Sequence, residues 1–175
     1  MVDILNITGE PIFDDRIVKI ETHTYNPYFI VKEVAVLRKG TILTHYIFSH
    51  PMPWHFLTRF DKSYASWLST YHHGLRWDDR MVPYSMVRRL ITEAVLEEDE
   101  AVVYVKGHEK RGWLADMLDT DDIIVETLDA HYKDVESLRN LDDCNTIRCG
   151  KHAKNCALQN AFKIFNWWSR HQEEL

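Results

Sequence analysis

The stretch YFIVKEVAVLRKG, residues 28–40, is followed without a break by TILTHYIFSHP, residues 41–51. Both runs are β-like, and in the first of them apolar and polar residues alternate, which is the pattern of a β-strand with one face in a core. The pair Lys39-Gly40 stands between them and is typical of a tight hairpin turn. Because residues 16–22 (RIVKIET) alternate in the same way, the sequence predicts an antiparallel meander of three strands after a lead-in segment of residues 1–14.

The remainder of the chain alternates between helical and strand patterns. Two continuous apolar runs, AVVYVKG and DIIVETL, are typical of strands buried in a parallel sheet. Helical spacing is found over residues 61–74, 82–98, 108–119, 133–141 and 153–172. A meander followed by βαβ crossovers predicts an α/β fold: a mixed sheet, flanked on both faces by helices, in a single domain of residues 15–175.

Composition limits the classes of protein to be considered. The chain has 175 residues, of which 45% are apolar, and six tryptophans, which favours one packed domain over a disordered chain. No apolar run approaches the length of a membrane span, and the N-terminal residues do not have the pattern of a secretory signal. Three cysteines cannot all pair within one chain, so we expect a reduced, intracellular protein of the cytoplasm or nucleus.

Four short motifs, in order, resemble those of the DnaQ-type (DEDDh) 3′–5′ exonucleases, which have a ribonuclease-H-like fold. The segments IVKIETHT, HHGLRWDDRMVPYSMVRRL, VYVKGHEKRGWL and CGKHAKNCALQNA are similar to the motifs of that family. The resemblance covers roughly residues 16–168. It implies a ribonuclease-H-like mixed sheet with a nuclease-type pocket between the first strand and the last helix.

The catalytic acids of that family are missing at the matching positions. Lys19, Trp113 and Ala157 stand where three aspartates would hold two magnesium ions, and neither an ammonium group nor an apolar side chain can replace them. We therefore expect no two-metal nuclease activity.

A different ligand set matches the same pocket. Glu21 on the first strand would face Cys149, His152 and Cys156 near the start of the last helix, and zinc accepts two thiolates, an imidazole and a carboxylate. A Glu-Cys-His-Cys set in a DnaQ-like fold resembles the Maelstrom domain, a family tied to RNA binding and the piRNA pathway. The resemblance implies structural zinc.

Other interpretations of these cysteines stay open. Cys149 and Cys156 can be ordinary buried residues, or Cys156 can be a reactive thiol close to a helix N-terminus. Cys144 is an alternative ligand.

The leading functional hypothesis is a catalytically inactive, zinc-stabilised domain that binds RNA or serves as an adaptor in an RNA-silencing pathway. The net charge of −6 requires any contact with RNA to use a local basic surface. The predicted phosphate-binding residues are Lys19, Lys106, Lys110, Arg111, Lys151 and Lys154. The alternatives are a protein-interaction module that does not bind nucleic acid, and a residual ribonuclease that acts through Glu21 and His152.

Overall fold

The computed structural model describes residues 2–11, 29–96, 101–118, 121–128 and 137–171. Within them lie five β-strands and four α-helices. The strands are β1 (Val2–Pro11), β2 (Phe29–Arg38), β3 (Ile42–Ile47), β4 (Ala101–Val105) and β5 (Ile123–Thr127). The helices are α1 (Arg59–Leu68), α2 (Val87–Val95), α3 (His108–Leu118) and α4 (Ala157–His171).

The strands form one sheet in the order β3-β2-β1-β4-β5. β2 is antiparallel to both β1 and β3, whereas β4 is parallel to both β1 and β5. The predicted α/β class with a mixed sheet is therefore confirmed. None of the helices in the described parts of the chain combines the length and apolar character needed to cross a membrane.

The N-terminal part of the prediction was wrong. Residues 2–11, which were assigned to a lead-in segment, form the central strand β1, between β2 and β4. The meander was expected to begin at residues 16–22, and that run lies outside the described residues. The local alternation of one segment does not reveal which strand becomes the neighbour of β2, because pairing depends on the rest of the sheet.

The β2–β3 hairpin was predicted correctly. Lys39 and Gly40 both have positive φ, at 56° and 74°, and the Thr41 amide donates to the Arg38 carbonyl. A turn with two positive φ values suits the twist of an antiparallel pair.

The first long helix begins earlier than predicted. We expected Asp61 to be its N-cap, but the N-cap is Thr58, whose side chain accepts a hydrogen bond from the Asp61 amide. The helix continues as a π-turn over Ser69–His73 and ends at Gly74, which has φ 71° and is the predicted C-cap.

Two apolar cores lie on the two faces of the sheet. Val34 and Val36 of β2 pack in the core that contains α2 and α3, while Ala35 and Leu37 pack in the core that contains α4. This alternation is that of a strand covered on both sides. Helices therefore flank both faces, as predicted.

Candidate metal centre

The site is built around Glu33, a carboxylate in the middle of the apolar strand β2. Its side chain has 0% exposure. The pairing of β1 with β2 shifts between Thr8, opposite Glu33, and Gly9, opposite Val31, so that Lys32 is an extra residue in β2. Such bulges redirect side chains. Glu33 faces the loop that leads into α4, on the same side of the sheet as Ala35 and Leu37.

Three of the four predicted ligands lie in that loop. α4 begins at Ala157, not at Ala153 as predicted, so Cys149 and His152 precede the helix and do not lie on one of its faces. The loop includes Gly150 and Asn155, which have positive φ of 81° and 45°. These backbone conformations fold the loop back on itself and bring the thiols of Cys149 and Cys156 close together.

The four side chains converge on one point. Ligand atoms of Glu33, Cys149, His152 and Cys156 all lie within 4.8 Å of one another. His152 Nε2 lies 3.1 Å from Glu33 Oε1, and Cys156 Sγ lies 3.9 Å from the same oxygen. Zinc–ligand bonds of about 2.0–2.3 Å in a tetrahedron imply ligand–ligand distances of roughly 3.4–3.8 Å. The observed group is close to that size.

The hydrogen bonding of His152 suits a metal ligand. Its Nδ1 lies 2.9 Å from the Lys154 carbonyl, an acceptor, so that Nδ1 carries the proton. In a neutral ring, Nε2 then presents a lone pair to the Glu33 carboxylate, which would be repulsive. A second proton on Nε2 or a bound cation removes that repulsion. An Nδ1–H bonded to a backbone carbonyl is the usual arrangement of a metal-binding histidine.

Backbone amides surround the anionic ligand atoms. The Cys149 amide donates to Cys156 Sγ at 3.3 Å, and the Lys151 amide donates to Cys149 Sγ at 3.4 Å. The Ala157 amide, in the first turn of α4, donates to Glu33 Oε2 at 3.0 Å. The positive end of the helix dipole therefore also faces the carboxylate. All these donors favour charged thiolate and carboxylate ligands.

The pKa values follow from the same contacts. Burial alone would raise the pKa of Glu33, but hydrogen bonds from His152 and His45 lower it from 4.5 to about 2. Burial opposes protonation of His152, yet hydrogen bonds with Cys156 and Glu33 raise its pKa from 6.5 to about 11. Burial likewise opposes ionisation of Cys156, but the hydrogen bond from His152 lowers its pKa from 9.0 to about 7. Burial raises the pKa of Cys149. Without a metal, the cluster is thus held together by ion pairing.

Sequence reasoning missed Glu33 and its neighbour His45. His45 Nε2 lies 2.7 Å from Glu33 Oε1, because His45 on β3 is diagonal to Glu33 across the strand pair. The signal for Glu33 was its charge within the apolar run FIVKEVAVL, since a carboxylate is almost never fully buried unless it is paired. His45 gave a weaker signal as a polar position of an alternating strand.

Glu21, the predicted carboxylate ligand, lies outside the described residues, and so does Lys19. The carboxylate at the site is that of Glu33. Cys144, the alternative ligand, is exposed and lies instead in a separate acidic group with Asp142 and Asp143. Trp113, at a position matched to a catalytic aspartate, is 2% exposed and belongs to the core shared by α2 and α3.

The predicted RNA-contacting residues fall into two groups. Lys151 and Lys154 are exposed in the metal-ligand loop, whereas Lys106 lies in the turn before α3, and Lys110 and Arg111 lie in its first turn. The two groups thus belong to segments that pack on opposite faces of the sheet.

The ligand loop is tied to the end of α1. Lys154 Nζ donates to the Thr70 carbonyl at 3.0 Å, and Asn155 Nδ2 donates to the His72 carbonyl at 2.6 Å. A Cβ added at Gly74 would lie 3.2 Å from His152 Cβ. The position of the loop thus depends on the turn that follows α1.

Comparison with known proteins adds no assignment: no family model matches the chain, and no curated protein matches it. The resemblance to DnaQ-type exonucleases and to the Maelstrom domain stays a prediction.

Proposed function

We propose that the Glu33-Cys149-His152-Cys156 cluster binds one structural zinc ion in a non-catalytic, ribonuclease-H-like domain that binds RNA, as an adaptor of an RNA-silencing pathway. The observation that carries the zinc proposal is the convergence of four buried or half-buried donor atoms within 4.8 Å. The mixed sheet, with antiparallel strands at one side and parallel strands at the other, supports the ribonuclease-H-like assignment.

The donor set favours zinc over the hard cations. Two thiolates with an imidazole and a carboxylate suit zinc, whereas magnesium and calcium prefer oxygen ligands alone. Four protein ligands would complete a tetrahedron and leave no position for water or substrate. A closed site of this kind has a structural role, and here it would tie α4 to β2.

The RNA-binding proposal has support from residues around the cluster. Lys151 and Lys154 are exposed beside the ligands, so this loop presents two cationic side chains to phosphates. The adaptor role follows from the resemblance to the Maelstrom domain, and its support is the Glu-Cys-His-Cys composition of the cluster.

Elemental analysis of the purified protein tests the zinc proposal. We expect one zinc ion per chain, which is lost in Cys149→Ser and Cys156→Ser variants. The matched control is Cys144→Ser, because this exposed cysteine lies outside the cluster and its removal should leave zinc unchanged. Because metal binding is coupled to folding, chelation should lower the unfolding temperature of the native protein but not that of the two ligand variants. Protein free of zinc, with ligand variants as stable as the native chain, would refute the proposal.

A salt titration tests the RNA proposal separately. If phosphates are neutralised by lysines and arginines, affinity for a single-stranded RNA should fall steeply and log-linearly with salt concentration. Lys151→Ala and Lys154→Ala should each reduce the slope by about 0.7. The control is Lys163→Ala, since Lys163 lies on α4 and donates to the Leu138 carbonyl.

One observation favours a protein-interaction module as a second candidate. Phe60, Tyr64, Trp67 and Tyr71 follow one another at helical spacing from α1 into its π-turn, with successive ring centroids 5.9–6.3 Å apart. Phe60 and Tyr71 are 66% and 62% exposed, and exposed aromatic residues are enriched at protein interfaces. A partner bound there would be retained at high salt, and its affinity would fall in a Trp67→Ala variant.

A further inference from the structure

A cavity lies on the flank of α1 opposite the exposed aromatic side chains. It has a volume of about 400 Å³ and lies between α1 and the turn that contains Trp77. This volume is within the range of small-molecule sites. The metal ligands do not line it.

Two tryptophans form one wall of the cavity. The rings of Trp54 and Trp77 meet edge to face, with centroids 5.4 Å apart. Trp77 is fixed in place: its indole donates to the Met52 carbonyl at 3.2 Å, and its ring stacks on His50 at 3.5 Å. Trp54 is 37% exposed, which leaves part of its ring accessible. A planar aromatic group can stack on that surface.

The other walls carry polar groups beside Ala65. Ser66 and Thr70 of the α1 segment bring hydroxyl groups to the cavity, and Arg76 and Asp78 line it from the turn. An arginine offers several N–H donors to a phosphate, and a carboxylate can accept a hydrogen bond from an N–H group of a base.

The charge of this flank of α1 is positive, although the chain as a whole is negative. Arg59 and Lys62 precede Ser66 and Thr70 at helical spacing and so extend the same flank. The acidic residue of this helix, Asp61, is 4% exposed and accepts a hydrogen bond from the Thr58 hydroxyl. An anionic ligand can therefore approach the cavity along α1 without meeting an exposed carboxylate of that helix.

We propose that this cavity binds a nucleotide, with its base against Trp54 and its phosphate at Arg76. A nucleotide matches these walls. Its base can stack on Trp54, its phosphate can pair with Arg76, and its other polar groups can form hydrogen bonds with the remaining lining residues. The inference rests on the proposed RNA-binding function insofar as the nucleotide belongs to a single-stranded RNA; a free nucleotide has the same chemistry. The metal-ligand loop braces the site, because Lys154 donates to the carbonyl of the cavity residue Thr70.

Binding of two probes, uridine monophosphate and a short uridine oligomer, tests the proposal on the whole chain. Removal of a stacking side chain weakens binding about tenfold, so we expect that loss in Trp54→Ala. Arg76→Ala should weaken the binding of both probes as well. The matched controls are Trp67→Ala, an exposed tryptophan on the other flank of α1, and Arg89→Ala, an exposed arginine on α2. Circular dichroism establishes that each variant is folded.

The two probes distinguish RNA from a free nucleotide, and they test the cavity proposal and the RNA function separately. Tighter binding of the oligomer indicates RNA, and equal binding indicates a free nucleotide. If RNA binds but neither Trp54→Ala nor Arg76→Ala weakens it, the cavity proposal is wrong and the RNA function stands. If uridine monophosphate alone binds, and depends on both residues, the cavity proposal stands and the RNA function is wrong. Failure of both probes to bind at millimolar concentration overturns the nucleotide assignment.

Discussion

Lys32 and Glu33 are consecutive residues of β2, and both are completely buried, yet their surroundings differ. Lys32 Nζ donates to the backbone carbonyls of Trp77 and Asp79, which fixes the turn after α1 against the sheet. Glu33 faces His45, His152 and the thiol of Cys156 on the other side. Both charges are satisfied, but the partners of Glu33 are side chains that exchange protons and bind metals.

This difference separates a structural charge from a functional one. Backbone carbonyls neither exchange protons in the physiological range nor form a zinc site, so the Lys32 contacts hold the turn in place. Imidazole, thiol and carboxylate groups can lose their protons and then bind a metal cation. A buried charge among such groups is therefore the stronger indication of a site.

The largest effect should come from Glu33→Gln. The amide keeps the size of the side chain but removes the charge that pairs with His152 and serves as a metal ligand. Breaking a buried pair by removing one partner costs about 3–5 kcal/mol, so the free energy of unfolding should fall by that amount and bound zinc should be lost. Urea unfolding and elemental analysis measure the two effects. Glu93→Gln is the control, because Glu93 is exposed and pairs with Arg89; it should change stability by less than about 0.5 kcal/mol.

The next effect is a pH dependence that zinc should remove. In metal-free protein His152 has its pKa raised from 6.5 to about 11, so its contribution to stability is complete below pH 6.5 and is lost as pH rises to 11. The pKa of Cys156 is lowered from 9.0 to about 7, which adds stability with rising pH and offsets the loss between those values.

Stability of the metal-free protein should therefore be level from about pH 7 to 9 and then fall with a slope of at least about 1.4 kcal/mol per pH unit, because the raised pKa of Cys149 adds to the loss from His152. With zinc bound, His152 Nε2 would bind the metal instead of a proton, and the fall above pH 9 should be much smaller. Urea unfolding at several pH values, with and without zinc, measures the difference. Identical curves would mean that His152 is a partner of Glu33 in an ion pair and not a ligand.

The sequence predicted the features that depend on neighbouring residues. The β2–β3 hairpin, the C-cap at Gly74 and the two parallel strands follow from alternation, turn residues and apolar runs. Cys149, His152 and Cys156 lie within eight positions, so their association needed only a folded loop. Their recognition as one cluster succeeded because the spacing is local.

The features that were missed depend on distant pairing. Glu33 and His152 are 119 positions apart, and only the sheet brings β2 against the loop before α4. β1 was overlooked because its central position results from two strand pairings, with β2 and β4, and not from its own pattern. A carboxylate was expected opposite the last helix, but the choice between Glu21 and Glu33 required the register of the strands.

A moderate effect is expected on the other side of β2. Lys32→Met removes the ammonium group but preserves most of the apolar volume, and it leaves the carbonyls of Trp77 and Asp79 without that donor. Because hydrogen bonds to charged groups contribute about 1.5–3 kcal/mol, the free energy of unfolding should fall by that amount while zinc content stays at one per chain. Loss of zinc in this variant would contradict the distinction between a structural role for Lys32 and a metal-binding role for Glu33.

The smallest effect concerns the contact between the turn after α1 and the metal-ligand loop. Gly74→Ala places a Cβ in a backbone with φ +71°, which costs about 1–2 kcal/mol, and brings that Cβ to 3.2 Å from His152 Cβ. Gly107→Ala is the matched control, since Gly107 also has positive φ but a Cβ there would meet nothing within 4 Å. Both variants should lose stability, but only Gly74→Ala should also weaken zinc binding, by about tenfold, because it displaces a ligand. Competition with a chelator measures zinc affinity. Equal zinc affinities in the two variants would show that the turn after α1 supports the ligand loop through Lys154 and Asn155 and not through His152.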